Sequence, residues 1–376
     1  MRICHIIESS SGGSAQVVLD LLRAGCAAGD DQTLIYSPMR AEPRFLRSLE
    51  ALRGDVGIHA LPMQRRVGWR DVVVAWRLMR LLRALGPFDV IASHSSKAGA
   101  LARMAGVALP GAAQIYTPHA FITMAPDASA IYGVIEWLAS WFCDAIVVGS
   151  QQEWNHAREA LRISAARLRL VPMGVDLSVP VDRDAARLAL TAGEGEFIVG
   201  FIGRLVPQKN PERLADVFAL VAAAEPRARF VIVGDGPLRD ALQDHIAQRG
   251  VADRTRLVGG CDARALTPGF DCLVCTSDYE SYGLIFPEAL AAGVPIVTPP
   301  VGVAREAASE GATGVVTGFD AADIAAGVLK LARLDSEART RMSEHCRAHS
   351  RRFDFAETAR RTRALYQSFV KRRSDS

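Results

Sequence analysis

The sequence predicts two α/β domains in tandem, each built on a parallel, doubly wound sheet. Three observations predict this. Short apolar runs alternate with amphipathic helical stretches through the first half. The same alternation restarts after Asp176. A length of 376 residues exceeds what one ordinary core holds.

Arg2–Ile7 reads as a buried strand, and Gly12-Gly13 follow it and open a helix from about Ser14 to Ala28. Gln32–Tyr36, Asp89–Ser93, Ala113–Thr117 and Ala145–Gly149 are further strand candidates. In the second half Phe197–Ile202, Arg229–Val233, Asp271–Thr276 and Pro295–Thr298 read as strands. A helix starts at Pro211, where proline suits the first turn. The expected boundaries are 1–176, 177–353 and a closing segment 354–376, with a hinge near Gly174–Asp184. The helix from about Asp354 to Lys371 is amphipathic and basic, and either lies solvated or packs back on the first domain.

Hydrophobic residues at 49% and charged residues at 23% mark a globular chain. A formal net charge of +3, with arginines scattered, argues against a nucleic-acid partner. No stretch of about 18 apolar residues is free of charge, so no membrane-spanning helix is predicted. The opening apolar run stops at Glu8, too short for a signal peptide, which predicts a cytoplasmic protein. Seven scattered cysteines fit a reducing compartment. Cys272-Leu-Val-Cys275 has redox or metal spacing, but it lies in a strand with no second pair, and packing explains it better.

Open α/β sheets bind ligands at the carboxyl ends of their strands. Four loops of the second half have suitable content. Gly203-Arg204-Leu-Val-Pro-Gln-Lys209-Asn210 offers backbone approach at Gly203, a planar fork at Arg204 and a point charge at Lys209, together suited to a diphosphate. An ordinary exposed loop remains the alternative. Gly234-Asp-Gly236-Pro permits a tight turn with close ligand approach, or is a plain strand-to-helix turn, and is not the dinucleotide fingerprint. Glu280-Ser-Tyr-Gly283-Leu284-Ile285-Phe-Pro-Glu288 leads into a helix near Phe286 or Pro287, whose first amides favour an anion. A helix that favours acid in its first turn explains Glu288 but not Glu280. Pro299-Pro-Val-Gly302-Val-Ala-Arg305-Glu306 is a fourth loop on that edge, and a structural turn suffices for it.

In the first half Gly13 opens a helix after the first strand. His119 follows the strand ending near Thr117 and is placed to face a cleft, or is a satisfied structural histidine. His94 and Lys97, after the strand ending at Ser93, are weak candidates for an acceptor contact against helix capping and surface roles.

Together these pieces resemble the retaining glycosyltransferases of family 4, which have the GT-B fold of two Rossmann-like domains facing a central cleft. The similarity covers nearly the whole chain and is strongest from about Val171 to Val316. Glu280 and Glu288 match the paired glutamates seven residues apart, and Gly203-Arg204 with Lys209 matches the phosphate-binding segment. Gly234-Asp-Gly-Pro237 and Ala289-Leu-Ala-Ala-Gly293-Val-Pro295 match as well. Two positions depart: Asn210 stands where many relatives have glycine, and Gly302-Val303 replaces Gly-Gly.

The resemblance implies a nucleoside diphosphate sugar as co-substrate, with UDP or GDP, and no metal or other cofactor. Arg204 and Lys209 would neutralise the pyrophosphate, Glu288 would hold the ribose and Glu280 the donor sugar. The Leu284 and Ile285 amides would touch phosphate, Gly13 would lie near the sugar phosphate, and His119 would line the reaction centre. The acceptor would be a glycan or polyprenyl-linked glycan, in bacterial surface polysaccharide synthesis. Two carboxylates also occur in glycoside hydrolysis, but there they flank one bond, whereas these bracket a long ligand. Asp182-Arg-Asp184, a metal signature in another glycosyltransferase fold, falls in the hinge. Arg65-Arg66-Val-Gly-Trp69-Arg70 leads a basic helix with Trp76, Leu78, Met79, Leu81 and Leu82 that either lies on an anionic membrane or faces the core. A nucleotide-sugar epimerase of the same architecture and a non-catalytic nucleotide-sugar-binding module are the rival functions.

Overall fold

The computed structural model describes all residues except 11, 65–67, 110, 126–127, 179–180, 310 and 375–376. Arg65 and Arg66 therefore lie outside the described residues. The chain forms two units: residues 1–173 with 355–376, and residues 174–354.

The first unit is a seven-stranded parallel sheet in the order β3-β2-β1-β4-β5-β6-β7. Its strands are β1 (Arg2–Ile7), β2 (Asp31–Tyr36), β3 (Val56–Ala60), β4 (Val90–His94), β5 (Ala113–Thr117), β6 (Ala145–Val148) and β7 (Leu168–Leu170). The second is a six-stranded parallel sheet in the order β10-β9-β8-β11-β12-β13. These strands are β8 (Phe197–Ile202), β9 (Ala228–Val233), β10 (Thr255–Gly259), β11 (Cys272–Val274), β12 (Ile296–Thr298) and β13 (Gly314–Val316). Both sheets grow outward in two directions from their first strand. The switch point falls between β1 and β4 in one unit and between β8 and β11 in the other.

Central strands carry continuous apolar runs because parallel sheets are covered on both faces. β4, β5 and β6 are buried at every position. In the second unit Phe218 and Phe230 stack at 4.2 Å between centroids, joining helix Pro211–Ala224 to β9. Cys272 and Cys275 are free thiols buried in that core. Helix Phe355–Ser374 belongs to the first unit. Its Tyr366 and Phe369 pack with Ile3, Val90, Ile115 and Val147, and Thr358 donates to the Pro172 carbonyl at 2.8 Å.

Helix Arg70–Leu85 turns Ala75, Leu78 and Leu82 inward, while Trp69, Val72, Val73 and Trp76 stay exposed. Helix Ala130–Ala139 is turned the other way from a usual amphipathic helix. It buries Glu136, which accepts from Arg103 and from the Tyr116 hydroxyl at 3.0 Å each. Its apolar Ile131, Val134, Ile135, Trp137 and Leu138 are exposed. No helix of the described residues is long and apolar enough to cross a membrane.

Candidate active site

In the second unit four loops leave the carboxyl ends of β8, β9, β11 and β12. The first two are bonded together through backbone. Leu205 donates to the Asp235 carbonyl at 2.9 Å, and Leu238 to the Leu205 carbonyl at 3.1 Å. The glycines permit this approach. A Cβ at Gly234 would stand 1.9 Å from the Gly203 carbonyl oxygen, and one at Gly236 would stand 2.4 Å from that of Leu205. Gly234 and Gly236 thus act here as packing positions.

Asn210 takes the left-handed conformation, φ 48° and ψ 67°, which asparagine tolerates better than most residues. Its side chain also caps the Pro211–Ala224 helix by accepting from the Arg213 amide, a bond that glycine cannot make. The departure at Gly302-Val303 is equally explained. Gly302 has φ 54° and a Cβ there would lie 2.2 Å from the Tyr282 oxygen, whereas Val303 sits at φ −95°. Gly302 therefore clamps the Glu280 loop from behind.

Across the switch point, Lys209 from the β8 loop donates to Glu280 Oε1 from the β11 loop at 2.5 Å. Ser277 Oγ donates to the same oxygen at 2.6 Å. Both donors converge on Oε1, so Oε2 faces no protein partner among the described residues. Ser277 could not be found from sequence, because nothing in its spacing distinguishes it from a turn serine. Burial opposes the charge on Lys209, but the Glu280 carboxylate more than offsets it, so the lysine pKa stands above its ordinary value.

Arg204 is exposed and bonds to no acceptor among the described residues. Gly283 has φ 84°, a left-handed turn before the short helix Ile285–Ala291. The Leu284 and Ile285 amides likewise take no acceptor among the described residues, while Glu288 lies in that helix's first turn, half-buried. One sheet edge thus presents a free guanidinium, an ammonium fixed to a carboxylate, open amides and an unused carboxylate oxygen. That set can receive a group with phosphate at one end and hydroxyls at the other.

A model of the glycosyl transferases group 1 matches residues 182–349, and one of Glycosyltransferase Family 4 matches residues 11–179. The chain belongs to glycosyltransferase family 4. Its relatives include D-inositol 3-phosphate glycosyltransferases. That of Jonesia denitrificans is 31% identical over 59% of this chain and 56% of its own length. That of Stackebrandtia nassauensis is 29% identical over 77% of this chain and 70% of its own. The chain thus spans little more than half of the first relative. Anabaena HepE, solved with UDP and glucose, superposes with a TM-score of 0.82 at 20% identity, covering 98% of this chain and 100% of that one. Sucrose-phosphate synthase from Thermosynechococcus elongatus has a TM-score of 0.82 at 19% identity, over 99% and 100%. These likenesses establish the GT-B fold.

In the first unit of this family 4 chain, Gly13 lies exposed in the first turn of helix Gly12–Ala27, which begins two residues earlier than expected. His119 follows β5 with φ 54°, and Ala120 with φ 126°. Two successive non-glycine residues with positive φ are strained, as residues at functional sites often are. His119 Nε2 bonds His94 Nδ1 at 2.9 Å, and His94 Nε2 bonds His5 Nδ1 at 3.0 Å. The rings are stacked, with centroids 5.2 Å apart in both pairs.

The weak acceptor assignments of His94 and Lys97 are therefore revised. His94 is buried with both ring nitrogens engaged. Lys97 is tied to Asp71 at 2.5 Å. His5 was not legible as a site residue, because only the β1–β4 pairing, with Ile7 opposite His94, brings it there. Asp182 caps helix Arg183–Ala189 by accepting from the Ala185 amide, which gives that residue of the Asp-x-Asp pattern a structural role. The described residues hold no cluster of three or more His, Cys, Asp or Glu suited to a metal.

Burial lowers the pKa of His5 and of His119 to about 4. His94 is held well below 6.5 by burial, then by the two neighbouring rings. All three are neutral at pH 7. The unfolded chain takes up these protons below about pH 6.5, whereas the folded chain resists them to lower pH, to near 4 for His5 and His119. Stability from these groups is thus complete above pH 6.5 and is lost as pH falls toward 4. His5 alone accounts for roughly 3 kcal/mol, at about 1.4 kcal/mol per unit. Melting temperature should fall more steeply from pH 7 to pH 5 in the wild type than in a His5→Asn variant; parallel curves would contradict this account.

Proposed function

We propose that the protein transfers a sugar from a UDP- or GDP-type nucleoside diphosphate sugar, with retained anomeric configuration and without a metal. The acceptor in this reading is a glycan or polyprenyl-linked glycan of a bacterial surface polysaccharide. The observation that carries the proposal is the Lys209–Glu280–Ser277 cluster, with Glu280 Oε2 open. It supports a site in which one charge meets the diphosphate while the carboxylate takes sugar hydroxyls. As the glycosyl–phosphate bond breaks, negative charge grows on the leaving diphosphate. Arg204 and Lys209 would stabilise it, and such preorganised donors are worth more in the transition state than in the ground state. HepE was solved with UDP-glucose, a donor of the proposed class.

A panel of UDP- and GDP-sugars should include one that raises the melting temperature. Transfer from that donor should yield the retained anomer by NMR and proceed in excess EDTA. Arg204→Ala should cost roughly 10²–10³ in kcat. Conversion of the donor without any acceptor would instead indicate an epimerase.

The exposed apolar faces support a peripheral membrane contact for the same enzyme. Trp69, Val72, Val73 and Trp76 lie beside exposed Arg70, Arg77 and Arg80, a composition suited to an anionic bilayer surface. The guanidinium of Arg80 stands 4.8 Å from the Trp76 ring centroid. Flotation with vesicles containing anionic lipid should carry the protein upward, and Trp69→Ser/Trp76→Ser should abolish this. A wild-type protein that stays at the bottom of the gradient would rule the contact out.

A further inference from the structure

We propose that a cavity in the first unit, between its sheet and two of its helices, binds a small neutral polyol, a molecule carrying neighbouring hydroxyls. The proposal is independent of the sugar-transfer reading.

The cavity measures about 200 Å³ and is bounded by β1, β2, helix Gly12–Ala27 and helix Phe355–Ser374. All of its lining belongs to the first unit. Exposed Ala28 and Arg360 stand among the lining residues, so the cavity opens to solvent. A cavity of roughly 150 Å³ admits benzene, whereas one water takes about 30 Å³. There is therefore room for a ligand of about six to eight heavy atoms.

The polar groups of the wall are unevenly used. Gln32 is 1% exposed, yet neither its Oε1 nor its Nε2 has a hydrogen-bond partner. Both atoms of a buried amide are seldom left so in a folded core. The absent side chain at Gly25 makes the space, since a Cβ there would stand 2.3 Å from Gln32 Nε2. His5 also lines the cavity, with its Nδ1 already spent on His94. Thr362 and Tyr366, both buried, add two hydroxyls. The charged groups of the lining are by contrast already paired. Asp30 holds the N-terminal ammonium and Arg363, and Arg360 holds Glu357. The wall thus favours a neutral ligand over an ion.

Hydroxyls fit this wall better than other polar groups. Gln32 offers an acceptor and a donor side by side, and a neutral imidazole offers one or the other at its remaining nitrogen. A hydroxyl turns about its C–O bond and can both donate and accept. Two neighbouring hydroxyls therefore satisfy the amide in either orientation, and a third satisfies the imidazole in either form. A carboxylate only accepts and would leave Gln32 Oε1 without a donor. The apolar lining at Ile3, Leu21 and Ala24 suits the carbon skeleton.

The probe is erythritol, titrated into the full ¹⁵N-labelled chain. The Gln32 side-chain amide signal, assigned by its loss in Gln32→Leu, should shift in a saturable way, as should the Gly25 and Thr362 backbone amides. Glycerol should act more weakly, and acetate and benzene should leave these signals in place. Gln32→Leu should weaken erythritol roughly tenfold, the effect of one lost hydrogen bond, and admit benzene. It replaces an unpaired amide by an apolar group, so the chain should stay folded. Ala24→Leu, which fills the space from the helix, should lose erythritol while keeping its melting temperature. Absence of saturable shifts with erythritol would overturn the proposal and leave the cavity to water. Erythritol binding unchanged in either folded variant, or benzene binding the wild type as tightly, would overturn it equally. These titrations need no donor and no turnover, so a failure of the sugar-transfer reading would appear separately, as absence of transfer from any donor.

Discussion

The second unit depends on one interaction, the ion pair from Lys209 to Glu280 across the β8–β11 switch point. Burial opposes the charge on the lysine, and a buried carboxylate alone would be left uncompensated. Removing one partner of such a pair typically costs 3–5 kcal/mol, because the other is stranded. Much of the surrounding backbone holds the two loops in register for this contact. Thr276 donates to the Lys209 carbonyl at 2.7 Å, Asp278 to that of Gln208 at 2.9 Å, and the Gln208 amide to Tyr279 at 2.9 Å. The left-handed turn at Asn210 and the glycine at 302 belong to the same scaffold.

The first unit uses the equivalent place in its sheet with opposite electrostatics. There the switch point between β1 and β4 holds neutral, stacked histidines. A charged group there would have to be paired, whereas neutral imidazoles satisfy one another and carry direction instead of charge. The two clusters therefore differ in what they offer a ligand. One presents a lysine and a carboxylate bound to each other, and the other a row of neutral imidazoles bonded in series.

The inner strands were legible because burial on both faces leaves a continuous apolar run. The edge strands β3, β7, β10 and β13 were not. Each is partly solvated, and β10 has no fully buried residue, so neither a continuous run nor a clean alternation marks it. In the site, Arg204, Lys209, Glu280 and Glu288 could be found because their order and spacing are local. Ser277 and His5 could not: a turn serine carries no spacing signal, and His5 meets His94 only through the pairing of β1 with β4. Gly234 and Gly236 were visible as a turn, but their contact with the Gly203–Leu205 backbone needed three dimensions. His94 was read as a surface group because its strand was ended one residue early, at Ser93. Extending β4 to His94 turns the ring into the core.

The central claim is that Glu280 grips the sugar while the diphosphate is held by other groups. Calorimetric titration of the preferred nucleoside diphosphate sugar, and of the same diphosphate without sugar, into wild type and Glu280→Gln tests this most directly. The wild type should bind the sugar-bearing form more tightly. The substitution should erase that difference and leave binding of the bare diphosphate intact or stronger, since Lys209 is released. An unchanged difference, or loss of the bare diphosphate, would contradict the account.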